Sequence, residues 1–200
     1  MKSKTPRHGL PVDVDASEAM EDAQYLLIPI VENFGPHHKT LYLGNLPAAE
    51  DADALLNANI TESLNVSINI FPQDLALSDG TKVRRYQIGM IDGPGNSPHL
   101  LAAAVMTLQG LMHGYIEGKP HYPQHHCGNI LIHCRGGRSR SVTVLALWMA
   151  AYCPKQFASF KDALDHIRII RTLPQSYPLP GMMALAEEVI SAGLIPGLIG

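Results

Sequence analysis

The spacing of one cysteine and one arginine is the feature of this sequence best suited to chemistry. Cys134 and Arg140 lie six positions apart in the run HCRGGRSRS, which forms residues 133–141. The apolar run NILI precedes it, and the apolar run VTVLALWMAAY follows it. These flanks predict a buried strand before the 133–141 loop and a helix after it. A loop with glycines at a helix start can direct successive backbone N–H groups at one anion, so the run predicts an anion site.

The residue types in the 133–141 loop suit the binding of a phosphate group and nucleophilic attack on it. Gly136 and Gly137 supply the backbone freedom that a tight loop needs. Inward N–H groups and the positive helix end stabilise a thiolate, so Cys134 is predicted to be nucleophilic with a lowered pKa. Arg140 presents a planar fork for two phosphate oxygens, which lysine does not match. The residues predicted to bind phosphate are Arg135, Gly136, Gly137, Arg138, Ser139 and Arg140.

Cleavage of a phosphate ester also needs groups that move protons. Ser141 places a hydroxyl near the sulfur, where it is predicted to help Cys134 leave from a phosphocysteine. Asp92 ends the β-type run VRRYQIGMI and begins the loop DGPGNSP, so it is the predicted general acid. The loop's Gly and Pro content suits a mobile or shaped lid. Asp74 and Asp79 are weaker alternatives because they precede that strand.

Short β-type runs alternate with helical runs from Tyr25 onward. The predicted strands are LLIPIV, LYLG, LNVSINI, VRRYQIGM and NILIHC. Helices are predicted near residues 49–57, from Ser97 to Gly118, from about Ser139, from Ser159 with Asp162 as a capping box, and near residues 181–192. The pattern predicts a single α/β domain with a central mixed sheet of four or five strands flanked by helices.

The composition indicates an ordinary globular chain. Apolar residues make up 46% and charged residues 16%, and the net charge of −3 offers no general attraction to nucleic acid. Three cysteines without paired spacing favour a reducing compartment, and the cytoplasm is the expected location. No run is apolar enough to predict a membrane span or a signal peptide. Residues 1–24 are predicted to form a polar arm with at most a short helix near residues 16–24, and no function is assigned to them.

The 133–141 loop resembles the signature loop of the protein-tyrosine-phosphatase superfamily, and its SRS ending is similar to the dual-specificity branch. LYLGNLPAAEDADALLNANITESLNVS and SFKDALDHIRIIRTLPQSYPLP resemble the opening and closing elements of that branch. The resemblance implies a catalytic domain over residues 25–200, with Cys134 as nucleophile, Arg140 as phosphate binder, Ser141 as leaving-group helper and Asp92 as acid. It also implies that His133 and Asn45 support the loop. No cofactor is implied.

This sequence departs from the pattern in two ways, the first of which bears on the acid and the second on the substrate. Asp92 lies 42 residues before Cys134, with a long HYPQHHCG connection between them. Arg135 and Arg138 add positive charge, as in the mitochondrial phosphatidylglycerophosphate phosphatase and in phosphoinositide phosphatases. The first expected substrate is a phosphorylated protein; the alternative is an anionic phosphorylated lipid or small molecule. Solvated loop charge is the competing interpretation of both arginines.

Two other classes of protein compete with a phosphatase. A catalytically silent phosphoprotein-binding module would need neither a thiolate nor an acid, and a rhodanese-like sulfur-transfer enzyme would act on thiosulfate. A metal site is not predicted, because the loop histidines and Cys127 lack regular ligand spacing; these histidines are His37, His38, His121, His125 and His126. Cys127 and Cys153 are interpreted as structural thiols.

Overall fold

The computed structural model describes residues 16–115, 120–121 and 127–198. Residues 1–15 of the polar arm, residues 116–118 of the long predicted helix, and His125 and His126 lie outside the described residues. The strands are β1 Leu27–Phe34, β2 Lys39–Gly44, β3 Ile60–Ser67, β4 Arg84–Met90 and β5 Asn129–His133. The helices are α1 Ala16–Ala23, α2 Leu46–Glu50, α3 Ala52–Asn57, α4 Pro98–His113, α5 Arg140–Tyr152, α6 Phe160–Arg171 and α7 Pro180–Ser191.

The five strands form one mixed sheet in the order β1-β2-β5-β3-β4. β1 pairs with β2 in antiparallel fashion, while β2, β5, β3 and β4 run parallel. β5 is central, and the register places Gly44 and Asn65 beside His133 on its two neighbours. The predicted single α/β domain with a mixed sheet is confirmed.

Two apolar layers cover the sheet. The larger core lies between the sheet and the helices α4 to α7, and a smaller cluster includes Leu131 of β5 and Leu55 of α3. In α5 every residue from Arg140 to Ala151 is buried, which explains the long apolar run that follows the 133–141 loop. Among the described residues, no helix is long and apolar enough to cross a bilayer.

Two predicted helix boundaries differ from the structure because of capping residues. The helix predicted near residues 49–57 is two helices, since Asp51 adopts an extended conformation between them and its carboxylate accepts a hydrogen bond from Ala54 N–H. The helix predicted to reach Gly118 ends at His113. Gly114 has φ of +71°, and a Cβ there would lie 2.9 Å from Cys127 Sγ, so only glycine fits this exit.

Candidate active site

The parallel strands bring the candidate residues to one edge of the sheet. β2, β3, β4 and β5 all end at this edge, and ligands of open α/β sheets bind at the carboxyl ends of the strands. Cys134 directly follows β5, and Asp92 lies two residues after β4. Residues distant in sequence therefore meet in one site.

The 133–141 loop leaves the first turn of α5 open towards this edge. Gly137 has φ of +65°, and a Cβ at this position would lie 2.9 Å from the Gly44 carbonyl oxygen. Ser139 precedes α5, but its side chain makes no cap to that helix. Its hydroxyl instead accepts a hydrogen bond from Leu179 N–H at 3.1 Å. The N–H groups of the first turn are thus not used by a side-chain cap, as an anion site requires.

Cys134 lies in an environment that favours its ionised form. The thiol is 2% exposed, and burial on its own raises its pKa. The positive charge of Arg140 and hydrogen bonds from the Ser141 hydroxyl and backbone N–H outweigh burial, so the pKa of Cys134 is lowered. The Ser141 Oγ to Cys134 Sγ distance is 3.2 Å. Cys134 therefore has the character of a nucleophile.

The Arg140 side chain crosses from α5 to the end of β4. Its NH1 donates to the Met90 carbonyl oxygen at 3.1 Å, and its NH2 lies 3.4 Å from Asp92 Oδ2. The side chain is 5% exposed, and Nε has no hydrogen-bond partner within the described part of the chain. A buried guanidinium with an unused donor beside a thiol suits an oxyanion.

Asp92 is the acidic residue that the structure brings to the cysteine and arginine. Its side chain is 35% exposed, so it can meet both Arg140 and a bound ester. Asp79, one of the weaker alternatives, lies in a turn where its carboxylate accepts a hydrogen bond from Thr81 N–H at 2.8 Å. Asp74 lies in the same loop, before β4.

Asn96 shapes the loop that carries Asp92, a role that the sequence did not predict. Its Oδ1 accepts from Ile91 N–H at 2.8 Å, and its Nδ2 donates to the carbonyl oxygens of Ile91 and Gly93 at 2.9 and 3.0 Å. The loop also packs tightly on α7, because a Cβ on Gly181 would lie 2.6 Å from Pro94 N. Of the two forms expected for this segment, these contacts favour a shaped loop.

Of the two residues expected to support the 133–141 loop, His133 contacts its backbone and Asn45 does not. His133 is fully buried, and its Nδ1 lies 3.3 Å from the Cys134 carbonyl oxygen. Burial lowers the pKa of His133 to about 4, so the ring is neutral and Nδ1 is the donor. Asn45 caps α2 through Ala48 N–H and bonds to the backbone of Gln24 and Leu26. It orders the chain beside the loop rather than the loop itself.

Arg135 and Arg138 pair with carboxylates of α1. Arg135 Nε lies 2.7 Å from Asp22 Oδ2, and Arg138 pairs with both Asp22 and Glu21. The two arginine side chains are only 14% and 7% exposed. They are therefore not solvated loop charges, and sequence reasoning missed their partners.

Two further expectations from the sequence concern the structural thiols and a metal site. Burial raises the pKa of Cys153 to about 11, as expected of a structural thiol at the end of α5. Within residues 16–115, 120–121 and 127–198, no group of three His, Cys, Asp or Glu side chains is arranged to hold a metal ion.

The chain has the fold of the dual-specificity phosphatases, built around a cysteine and arginine loop at the carboxyl edge of its sheet. Human DUSP28 is similar over 83% of this chain and 93% of its own, with 20% identity and a TM-score of 0.60. The Yvh1 phosphatase domain from Chaetomium thermophilum is similar over 84% of this chain and 97% of its own, with 21% identity and a TM-score of 0.58.

A third solved structure with a similar fold is that of a protein described as phosphatase-like. The human tyrosine phosphatase-like serine/threonine/tyrosine-interacting protein is similar over 77% of this chain and 93% of its own, with 17% identity and a TM-score of 0.56. Neither protein-family models nor curated protein sequences gave a match. The resemblance seen in the sequence is thus confirmed at the level of the fold, and the function has to be argued from the site.

Proposed function

We propose that this chain hydrolyses phosphate monoesters through a phosphocysteine intermediate on Cys134. The observation that carries the proposal is the buried thiol, with its lowered pKa, between the Arg140 guanidinium and the Ser141 hydroxyl. A binding module or a structural core needs no ionised sulfur, whereas displacement at phosphorus needs a nucleophile of this kind.

The proposed reaction has two displacement steps. The Cys134 thiolate attacks phosphorus, the S–P bond forms, the P–O bond breaks, and Asp92 gives its proton to the leaving oxygen. Asp92 then accepts a proton from water as that water attacks phosphorus, and the S–P bond breaks to release phosphate. Arg140 binds the equatorial oxygens in both steps, and Ser141 donates to the departing sulfur.

Binding of the phosphate group changes the partner of Arg140 and so makes Asp92 available for proton transfer. In the free protein Asp92 Oδ2 lies 3.4 Å from Arg140 NH2. A bound phosphate offers Arg140 stronger acceptors, since a guanidinium holds phosphate through parallel bonds. Asp92 then leaves the arginine, takes up a proton from solvent and faces the leaving group.

Phosphorylated protein side chains are the proposed substrates, with phosphotyrosine first and phosphoserine or phosphothreonine next. The basic residues that favoured a polyphosphorylated lipid or inositol phosphate, Arg135 and Arg138, are paired with α1 carboxylates. Arg140 is then the cation facing the thiol, a charge that suits a single phosphate group.

The decisive experiment compares variants on substrates with different leaving groups. Cys134→Ser should abolish hydrolysis of every monoester. Asp92→Asn should lower kcat/KM, which reports the first displacement, about 10²- to 10⁴-fold on a phosphoserine peptide, but much less on para-nitrophenyl phosphate, whose leaving group departs without a proton. Asp79→Asn, the matched control at a turn position, should retain wild-type kcat/KM on both.

Some results would reject this function. Phosphopeptide binding without phosphate release by the wild-type chain would indicate a silent module, and thiosulfate sulfurtransfer would indicate a rhodanese-like enzyme. Faster turnover of vesicles containing phosphatidylglycerophosphate or phosphoinositides than of phosphopeptides would overturn the proposed substrate class while leaving the mechanism intact.

A further inference from the structure

The last turn of α1 places a buried carboxylate against the 133–141 loop. Asp22 Oδ2 lies 2.7 Å from Arg135 Nε, and Oδ1 lies 2.8 Å from Arg138 NH2 in an ion pair without hydrogen-bond alignment. Only 7% of the Asp22 side chain is exposed. One carboxylate thus links the two residues that flank Gly136 and Gly137, the most flexible part of the loop.

The fit between Asp22 and the loop backbone is close. A Cβ on Gly136 would overlap Asp22 Oδ1, so any side chain there would displace the carboxylate. Of the two loop glycines only Gly137 has a positive φ, so glycine at position 136 is explained by this packing and not by the backbone freedom expected from the sequence.

Glu21 fixes α1 to the rest of the molecule. Its Oε2 lies 3.1 Å from Arg138 NH1, and its Oε1 accepts a hydrogen bond from Arg171 of α6. The Arg138 guanidinium also lies 5.5 Å from the centre of the Tyr177 ring. Asp22 is thus held on a helix that is itself anchored, as a positioning group must be.

Charge explains why the loop needs this contact. Arg135, Arg138 and Arg140 bring three guanidinium groups within six residues, and like charges in a buried setting repel strongly. Asp22 and Glu21 neutralise the first two arginines and hold them towards α1. Arg140 remains on the opposite side, beside Asp92 and the thiol.

We infer that Asp22 is a positioning residue, which bridges Arg135 and Arg138 and so holds the 133–141 loop in the conformation that binds phosphate. Its effect on turnover rests on the proposed function, whereas its effect on phosphate binding can be measured without turnover. The Asp22 carboxylate is assigned no part in the chemistry and acts through Arg135 and Arg138.

The test uses Asp22→Asn in the full-length chain, a change that preserves side-chain shape and removes the charge. We expect kcat/KM for para-nitrophenyl phosphate to fall about ten- to a hundredfold, because small misplacements of a binding loop have effects of this size. The inhibition constant of inorganic phosphate should rise, and the pH midpoint for alkylation of Cys134 by iodoacetamide should move upward. Asp22→Glu should recover part of each value.

Asp165→Asn is the matched control. Its side chain is 37% exposed and pairs with Lys161 and Arg168 of the same helix, away from Arg135 and Arg138, so all three readouts should equal those of the wild type. If Asp22→Asn does not fold, Arg171→Gln, which releases α1 from α6, should change the same readouts in the same direction.

The outcomes separate this inference from the proposed function. A folded Asp22→Asn protein with wild-type phosphate inhibition and an unchanged alkylation midpoint overturns the inference, and so does an unchanged Arg171→Gln protein where Asp22→Asn is unfolded. A wild-type chain that hydrolyses no monoester overturns the proposed function; weaker protection of Cys134 by phosphate in Asp22→Asn would still support the positioning role.

Discussion

His133 and Cys134, at the end of β5, lie in environments that favour opposite charge states of their side chains. The pKa of Cys134 is lowered because Arg140 and Ser141 outweigh burial, so its charged form is favoured. The pKa of His133 is lowered to about 4, chiefly by burial, so its neutral form is favoured. Because successive side chains of a strand point to opposite faces, one step along the chain separates a thiol with a lowered pKa from a neutral ring.

Replacement of Ser141 tests the thiolate's hydrogen bond. Ser141→Ala removes the Oγ–H donor that lies 3.2 Å from Cys134 Sγ. A hydrogen bond to a charged group contributes about 1.5–3 kcal/mol, so breakdown of the phosphocysteine should slow about ten- to a hundredfold. Rapid mixing with para-nitrophenyl phosphate should then show a burst of nitrophenolate, while Ser141→Thr, which keeps the hydroxyl, should show a smaller one. Unchanged steady-state turnover in Ser141→Ala would contradict the assigned role.

The neutral state of His133 predicts a pH-dependent stability. The unfolded chain takes up a proton at this residue below about pH 6.5, whereas the folded chain does so only near pH 4. The contribution is therefore complete above pH 6.5 and is lost as the pH falls towards 4, by about 3 kcal/mol in all. Urea unfolding of His133→Asn between pH 7 and pH 4.5 should show a shallower loss than the wild type. Parallel slopes for the two proteins would be inconsistent with a buried neutral ring.

At the scale of elements, one asparagine side chain holds the loop after β4. Asn96 makes three hydrogen bonds around Asp92, to backbone groups of Ile91 and Gly93. These bonds fix the backbone on either side of Asp92, whose side chain is 35% exposed beside Arg140. The precision of this loop comes from a side chain that does no chemistry itself.

Asn96→Ala should lower kcat through Asp92 alone. Loss of the amide should let the loop shift and reduce kcat on a phosphoserine peptide about tenfold or more. In the Asp92→Asn background the same change should have almost no effect, because the loop then positions no acid. Steady-state kinetics of the two single variants and the double variant measure this coupling. Additive losses would show that Asn96 acts on something other than the acid.

The sequence predicted those elements whose patterns are local. The run NILIHC, the two glycines and the apolar α5 signal a strand, a loop and a buried helix within about 20 residues, so Cys134 and Arg140 could be predicted together. The position of Asp92 followed from its place at the end of a strand.

Long-range ion pairs could not be predicted in this way. Glu21 and Asp22 pair with residues more than 110 positions away, and no periodicity encodes that distance. The sequence did contain a weak signal. Two carboxylates in the last turn of a helix interact unfavourably with the helix dipole, so cationic side chains from other elements are expected to pair with them. Asn96 gave none, because an asparagine in a Gly and Pro loop is common in any turn.

At the scale of the whole molecule, the candidate site and a buried ion pair that stabilises the fold lie towards opposite edges of the sheet. The site lies at the carboxyl edge of the parallel strands. Towards the other edge, Lys39 Nζ lies 3.0 Å from Glu62 Oε2 and donates to the Leu111 carbonyl oxygen at 2.7 Å, with both charged side chains at most 1% exposed. This buried pair joins β2 and β3 to the last turn of α4, where a cation also complements the helix dipole.

Lys39→Met should therefore destabilise the fold and spare the site. Removing one partner of a buried ion pair costs about 3–5 kcal/mol, whereas the double variant Lys39→Met/Glu62→Leu should recover much of that loss. Lys161→Met breaks an exposed ion pair of the same chemical type and should change the free energy of unfolding far less than Lys39→Met does. Urea unfolding at pH 7 measures all three free energies of unfolding. Below the unfolding transition, kcat/KM of Lys39→Met should equal that of the wild type; a fall in activity without loss of stability would mean that the two edges of the sheet are coupled.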